Sequence, residues 1–364
     1  MMRRGLLTAA LATPAVAAQP WPRVAPDQAG FAPDLAERLD HGIRSGLLRG
    51  LHGVLLAREG RILLERYDDG PDEEWGRPLG QVAMGPETLH DLRSVTKSVV
   101  GLLYGIALAR GQVPPPEAPL YAQFPEYPDL AADPARAGMR VEHALSMTMG
   151  LRWDESVPYL DARNSEIAME QAPDRRRYVL EQPMVTPPGA RWTYSGGATA
   201  LLGRLITRGS GQTLPDYARE VLFGPLGITR FAWQGRDPGE ESAASGLRLT
   251  LRDLARIGEL VRQGGVAEGR QLVPAEWIAA STRPVIATGD GLQYGRHWFL
   301  GRDAPGAGPP QPWIGGFGNG GQRLWVMPAA GLTLAIFAGR YNAPDGWISP
   351  TRVWREIVLP NLRP

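Results

Sequence analysis

Apolar and polar positions alternate in two rhythms along this chain. Residues 33–48 and 250–263 carry apolar side chains at a helical spacing on one face, which predicts amphipathic helices. Residues 53–57 and 61–67 are short apolar runs around the turn Arg58-Glu59-Gly60 and predict paired strands. Residues 322–327 and 333–338 predict a second strand pair, joined through Pro328-Ala329-Ala330-Gly331. A last helix is expected over roughly residues 350–358. Residues 94–110 behave differently. Val95, Val99, Val100, Leu102, Leu103, Ile106 and Leu108 spread around most of the helix circumference, the pattern of a helix buried in the centre of a domain, and Gly111 closes it.

The remaining segments fill in an organisation. A polar loop precedes residue 94, and the proline-rich residues 114–134 are expected to be irregular surface chain. Residues 141–228 read as helical, with punctuation at Pro187-Pro188-Gly189 and Gly224-Pro225. Strands at both chain ends with helices between them predict an α+β fold: an antiparallel sheet built from both ends and flanked by helices, plus an inserted helical lobe. The expected division is an α/β lobe over about 19–110 and 240–364 and a helical lobe over about 111–239.

The N-terminus adds a compartment. Arg3 and Arg4 precede an apolar run ending in Ala15-Val16-Ala17-Ala18, so residues 1–18 read as a signal peptide, and the mature protein is expected to be exported, periplasmic or secreted. The run is too short to span a bilayer and no other stretch is long and apolar enough, so no stable membrane anchor is expected. Composition narrows the chemistry. The 364 residues contain no cysteine, which excludes disulfides, thiol nucleophiles and thiolate metal sites. A net charge of +1 without a basic stripe argues against nucleic acid as a partner.

The chain has 39 lysines and arginines, and Lys97 is its only lysine. It falls in Ser94-Val95-Thr96-Lys97, at the start of the apolar helix. Residues three apart share a helix face, so the amine and the hydroxyl can meet. A serine is a weak nucleophile until its proton is taken. Burial can lower a lysine's pKa toward the value a base needs, whereas arginine stays protonated. The blander reading is an N-cap serine followed by a solvated lysine. With 12 serines in 364 residues, one randomly placed lysine would seldom fall three after a serine.

The stretch Asp91-Leu92-Arg93-Ser94-Val95-Thr96-Lys97-Ser98 resembles the active-site motif of the β-lactamase-like and penicillin-binding serine hydrolases, among them class C β-lactamases, family VIII carboxylesterases and aminohexanoate-dimer hydrolases. Tyr194-Ser195-Gly196 stands where that family has Tyr-x-Asn, and Asn319-Gly320-Gly321-Gln322 where it has a Lys/His-Thr/Ser-Gly box. The resemblance covers nearly the whole mature chain. It implies a β-lactamase/transpeptidase-like fold, Ser94 as nucleophile, Lys97 as its base and Tyr194 as general acid/base. It places the oxyanion hole at the N–H groups of Ser94 and Gln322, and substrate contacts at Ser195, Gly196, Asn319, Gly320 and Gly321. No cofactor or metal is implied, and the substrate is a small ester or amide.

Two departures matter. Gly196 replaces an asparagine that reaches the lysine, with Ser195 as its possible substitute. Asn319 replaces the cation that receives a β-lactam carboxylate. Alternatives to an esterase or amidase are a β-lactamase, a D-amino-acid peptidase, or a non-catalytic binding or sensor protein on the same fold. Several other features carry less. Gly316-Phe317-Gly318-Asn319-Gly320-Gly321 spells a dinucleotide motif, but a strand rather than a helix follows it. The five histidines are scattered without a metal-binding spacing. Trp153, Tyr159, Trp298 and Trp313 are candidates for an acyl pocket or for core packing, and Arg175-Arg176-Arg177 reads as a solvated run.

Overall fold

The computed structural model describes residues 21–363, so the expected signal peptide lies outside the described residues. Its largest layer is an eight-stranded sheet in the spatial order Ile286–Ala287, Gln293–Tyr294, Phe299–Asp303, Gln311–Gly318, Gln322–Met327, Leu332–Ala338, Leu51–Arg58, Arg61–Tyr67. Every neighbouring pair is antiparallel. Both predicted hairpins are present. They join through the pairing of Leu51–Arg58 with Leu332–Ala338, so the two chain ends share one sheet. These two central strands are buried along almost their whole length, which explains their continuous apolar runs. One sheet face packs on the terminal helices, with Trp354 stacked on Trp325 at 5.5 Å. The other face packs on the amphipathic helix Leu251–Arg262 and on Val95–Ala109.

Several expectations change. The first helix stops at Arg44 rather than Leu48, because the chain turns at Gly46 (φ 74°) and Leu48 N–H folds back onto the Gly42 carbonyl at 2.9 Å. The polar loop before Ser94 contains a hairpin, Gly70–Glu74 paired with Arg77–Val82. Its strands bury little, so no alternation marked them. The glycine-rich motif sits in the turn between strands Gln311–Gly318 and Gln322–Met327, with no helix to receive a dinucleotide phosphate. Arg175 is buried rather than solvated and pairs with Glu170 (2.8 Å) and Glu240 (3.0 Å). Two of the scattered histidines meet. His52 Nδ1 lies 2.9 Å from His90 Nε2, with the Asp72 carboxylate 3.3 Å from His90, all three buried. His90 Nδ1 faces the Asp91 carbonyl at 3.1 Å, and the Arg248 guanidinium stands 3.8 Å from Asp72 to balance its charge. Among the described residues, no helix is long and apolar enough to cross a membrane.

Val95–Ala109 is the buried helix that the sequence predicted, with every residue from Val95 to Ala107 out of solvent. Two glycines let neighbours approach it. Trp277 crosses at Gly105 and donates its indole N–H to the Gly101 carbonyl at 2.9 Å. A Cβ at Gly105 would fall 2.1 Å from that indole. Alanine gains about 0.5–1 kcal/mol over glycine in a helix. The forced repacking outweighs this, and Gly105→Ala is expected to lower the unfolding free energy by about 1–3 kcal/mol in denaturant titration. An unchanged or raised midpoint would show that Trp277 does not fix the helix.

Candidate active site

Ser94 sits immediately before the buried helix. The turn that presents it runs through Arg93, whose φ of 47° lies in the left-handed region. Arg93 is held there by Glu73 (2.8 Å), by Asp91 (3.1 Å) and by stacking 4.7 Å over the Tyr341 ring. The Ser94 hydroxyl makes no capping bond to the helix. It receives instead a hydrogen bond from Lys97 Nζ at 2.9 Å. The bland reading of an N-cap serine with a solvated lysine therefore fails, since Lys97 is 1% exposed.

The lysine's other partners were not visible in the sequence. Its ammonium donates to the Ala244 carbonyl at 3.0 Å and faces Glu166 Oε2 at 3.3 Å. Burial pulls the Lys97 pKa down, but Glu166, Tyr194 and Glu155 together hold it above the ordinary lysine value. This corrects the expectation that burial alone leaves a neutral amine: the resting lysine is an ammonium ion paired with a carboxylate. Glu166 is 3% exposed and lies in the first turn of the helix Ser165–Gln171, which Asn164 caps by accepting from the Glu166 N–H at 3.0 Å. Glu155 completes the cluster. It accepts from Gly196 N (2.5 Å), Trp153 Nε1 (2.6 Å) and the Tyr159 hydroxyl (2.9 Å). Burial and the neighbouring Glu166 push its pKa up to about 7.

Gly196 now has a physical explanation. Its φ is not in the left-handed region, so the backbone does not require glycine. A Cβ there would lie 2.4 Å from Glu166 Oε2. The carboxylate of Glu166 occupies the room that a side chain at position 196 would fill. Ser195 does not substitute for the missing asparagine. It caps the helix Gly196–Ser210 by accepting from the Ala198 N–H at 3.2 Å. That cap fixes the start of the helix and, with it, the preceding Tyr194. The Lys97 Nζ stands 5.0 Å from the Tyr194 ring centroid. Burial raises the phenol's pKa, while Lys97 and the Ser94 hydroxyl draw it back down.

Two cavities meet at Ser94. One of about 330 Å³ is bounded by Trp75, Tyr159, Leu160, Ile167 and Asn342. The other, about 680 Å³, has an aromatic wall with Trp192, Phe299, Trp313 and Phe317, and includes Tyr194. Asn319 lines both. Gln322 lines neither. It is fully buried opposite Gly318 in the sheet, and its side chain binds the Ala338 carbonyl at 2.6 Å and the Asn319 carbonyl at 3.2 Å. The oxyanion role expected of Gln322 is therefore not supported by its position. Ser94 and Asn319 line both cavities, and their N–H groups donate to no backbone carbonyl among the described residues. Gly320 and Gly321 also stay out of the cavities. Their φ values of 85° and 101° make the turn, and added side chains would strike Tyr341 and the Gly346 carbonyl. Of the four aromatics considered from sequence, Tyr159 and Trp313 line the cleft. Trp298 is buried in the core and Trp153 packs under Gly197.

The exchange of Glu166 for a side chain at 196 can be measured. Gly196→Asn alone should destabilise by about 1–3 kcal/mol through overpacking. Glu166→Ala alone should cost about 3–5 kcal/mol by leaving Lys97 buried and unpaired. The double variant should recover at least about 1 kcal/mol relative to the sum of the two. Strict additivity in denaturant unfolding would refute the shared-space account.

The sequence matches the family model described as Beta-lactamase over residues 35–357. It is 26% identical over 347 residues to the 6-aminohexanoate-dimer hydrolase of Paenarthrobacter ureafaciens, covering 89% of this chain and 78% of that protein. It is 29% identical over 223 residues to esterase EstB of Burkholderia gladioli; that match spans 58% of this chain and only 54%, about half, of the esterase. Among solved structures, EstCE1, described as a hydrolase with promiscuous acyltransferase activity, superposes with a TM-score of 0.69 at 19% identity, over 91% of this chain and 98% of that one. The serine–lysine pair on the buried helix, the two-ended antiparallel sheet and the family match over most of the chain agree: the chain belongs to the beta-lactamase family.

Proposed function

We propose that this protein is an exported serine acyl hydrolase that cleaves small esters or amides through an acyl-enzyme on Ser94. The observation that carries the reading is the 2.9 Å contact between Ser94 Oγ and a buried Lys97 at the junction of two cavities. Relatives named as an esterase and an amide-dimer hydrolase support the same reaction class. Export rests on the N-terminal sequence alone.

In this reading the Lys97–Glu166 pair sets the proton inventory. A proton passes from Nζ to Glu166 Oε2 across 3.3 Å. The freed amine then takes the Ser94 proton as Oγ attacks the carbonyl carbon. The N–H groups of Ser94 and Asn319 receive the oxyanion, helped by the N-terminus of the buried helix. Tyr194 gives its proton to the departing oxygen or nitrogen as that bond breaks, and Lys97 restores it. Water repeats the attack on the acyl-enzyme, releasing the acid and returning the proton to Ser94.

Substrate choice follows from what flanks Ser94. A β-lactam places a carboxylate next to its scissile nitrogen and needs a cation beside the nucleophile, where this chain has the uncharged Asn319. Its side-chain amide needs a hydrogen-bonding side chain, and Gly196 has none. The lost charge-assisted contact is worth about 1.5–3 kcal/mol and the lost neutral one about 0.5–1.5 kcal/mol, together roughly two orders of magnitude in rate. Short p-nitrophenyl esters need neither contact. Their kcat/KM should exceed that of nitrocefin by at least about a hundredfold, with Ser94→Ala as the blank. Nitrocefin turnover equal to ester turnover would overturn the assignment.

The proton path has its own test. Lys97→Arg keeps the charge but cannot deprotonate, so turnover should fall by about a thousandfold or more. Glu166→Gln removes the proton acceptor and leaves a neutral hydrogen-bond partner. It should lower kcat more than it raises KM, and shift the pH–rate profile rather than merely scale it. Retained activity in Lys97→Arg would leave the lysine a purely electrostatic role.

A further inference from the structure

The larger cavity contains a cation that the proposed mechanism does not use. Arg323 begins the outward run of the strand Gln322–Met327 and is 8% exposed. Its Nη1 donates to the carbonyls of Gly318 (3.1 Å) and Gln322 (2.8 Å). Its guanidinium lies 4.7 Å over the Phe317 ring and 6.0 Å from the Trp325 ring centroid. Among the described residues no carboxylate pairs with it, whereas the other deeply buried arginines, Arg136, Arg175 and Arg248, each have one. Burial pushes its pKa down to about 10, which leaves it charged at neutral pH, and Tyr194 is the one group that draws it back up.

The surroundings are matched to a flat anion. Trp192 and Trp325 line the same cavity, and each has a buried indole N–H without an acceptor. Phe299 stacks on Phe317 at 4.8 Å and forms an apolar wall. The other charges at the cavity are accounted for. Asp303 accepts from the Trp313 indole (2.8 Å) and the Trp354 indole (3.0 Å) and pairs with Arg355 (3.3 Å), and Asp290 is an exposed group that accepts from Thr288. A buried, unneutralised guanidinium is costly to keep unless something supplies an anion. Tyr194 borders this cavity and not the smaller one, so this is the side on which the leaving group departs.

We propose that Arg323 is a specificity residue that binds a carboxylate carried by the leaving group, and that the leaving group is a flat, aromatic acid. This deepens, and rests on, the hydrolase reading above. The carboxylate lies at the far end of the ring from the scissile bond, against Arg323, while the ring lies along Phe299 and Phe317. The smaller cavity takes a short acyl group.

The test compares 4-acetoxybenzoate with its neutral isostere 4-acetoxybenzamide in the wild type, Arg323→Gln and Arg323→Lys. Taking the variant-to-wild-type ratio for each substrate cancels differences in leaving-group chemistry. Arg323→Gln should lower kcat/KM for the carboxylate by at least about tenfold, the loss of one charge-assisted hydrogen bond, and change the amide by less than about threefold. Arg323→Lys should restore part of the carboxylate rate. Melting temperatures of both variants show whether the fold is kept. Equal losses on both substrates, or no loss on either, would overturn the proposal; equal losses would assign Arg323 to Tyr194 instead. A second arm does not need turnover: 4-hydroxybenzoate binding to Ser94→Ala, read by calorimetry, should weaken about tenfold when Arg323→Gln is added, while 4-hydroxybenzamide binding is unchanged. If neither ester is hydrolysed but this difference holds, the hydrolase reading fails and the anion subsite stands. If the esters are hydrolysed and binding ignores Arg323, the subsite fails alone.

Discussion

A buried positive charge organises this molecule. Lys97 is nearly inaccessible to water, and an ammonium ion taken out of water costs several kcal/mol unless its charge and all three donors are satisfied. Ser94, the Ala244 carbonyl and Glu166 satisfy them. Each partner imposes a further condition. Ser94 must stand one helical turn before the lysine. The Glu166 carboxylate needs space, so position 196 has no side chain. Burial, with the second carboxylate close by, raises the pKa of Glu155, which is held by three donors. The helix that Ser195 caps thus begins with a glycine because an ion pair lies beside it.

A second constraint fixes the nucleophile from outside. The left-handed turn at Arg93 is an unfavourable conformation for a side-chain-bearing residue and persists only if its surroundings over-determine it. The hairpin Gly70–Glu74/Arg77–Val82 provides that restraint, because Glu73 pairs with Arg93. Asp91 links the two by pairing with Arg93 and accepting from the Trp75 N–H at 2.7 Å. Tyr341 adds its ring under Arg93 and its hydroxyl to Asp72, which in turn meets His90. The histidine pair therefore belongs to the scaffold of the nucleophile turn, far from any catalytic use of imidazole.

What the sequence revealed and what it hid follow from this physics. Central strands and the buried helix are legible because burial on all sides demands continuous apolar residues. The polar hairpin is not, since its strands bury no apolar row and their buried side chain is the polar Asp72. Ser94 and Lys97 were legible from chemistry and spacing, helped by the absence of any other lysine, whereas Tyr194 was legible only through the resemblance to the family. Glu155 and Glu166 were not, because their importance lies in contacts across about 40 to 70 residues of chain that no local pattern encodes. One signal did exist: a lysine beside a glycine, where the family pattern has asparagine, is a buried charge in need of a counter-ion. The glycine-rich turn misled in detail. Gln322, whose N–H was expected in the oxyanion hole, is fully buried with its side chain on the Asn319 and Ala338 carbonyls, and it is Asn319 that lines the cleft.

The same turn explains how charge was redistributed around the nucleophile. With Asn319 beside Ser94, its side chain is engaged with Asn342, accepting from that residue's N–H at 2.9 Å, and it brings no charge to the scissile bond. A cation without a carboxylate partner among the described residues, Arg323, instead stands four residues further along the chain and lines the larger, aromatic-walled cavity with Tyr194. Coulomb attraction in a cavity of low dielectric still reaches the leaving-group side, but it selects a different geometry. On the proposed reading, an anion fused next to the reacting bond finds no partner, whereas one held a ring's length away does. If Arg323 binds the leaving group as proposed, a shift of a few residues in the position of one charge would be enough to separate those two classes of substrate.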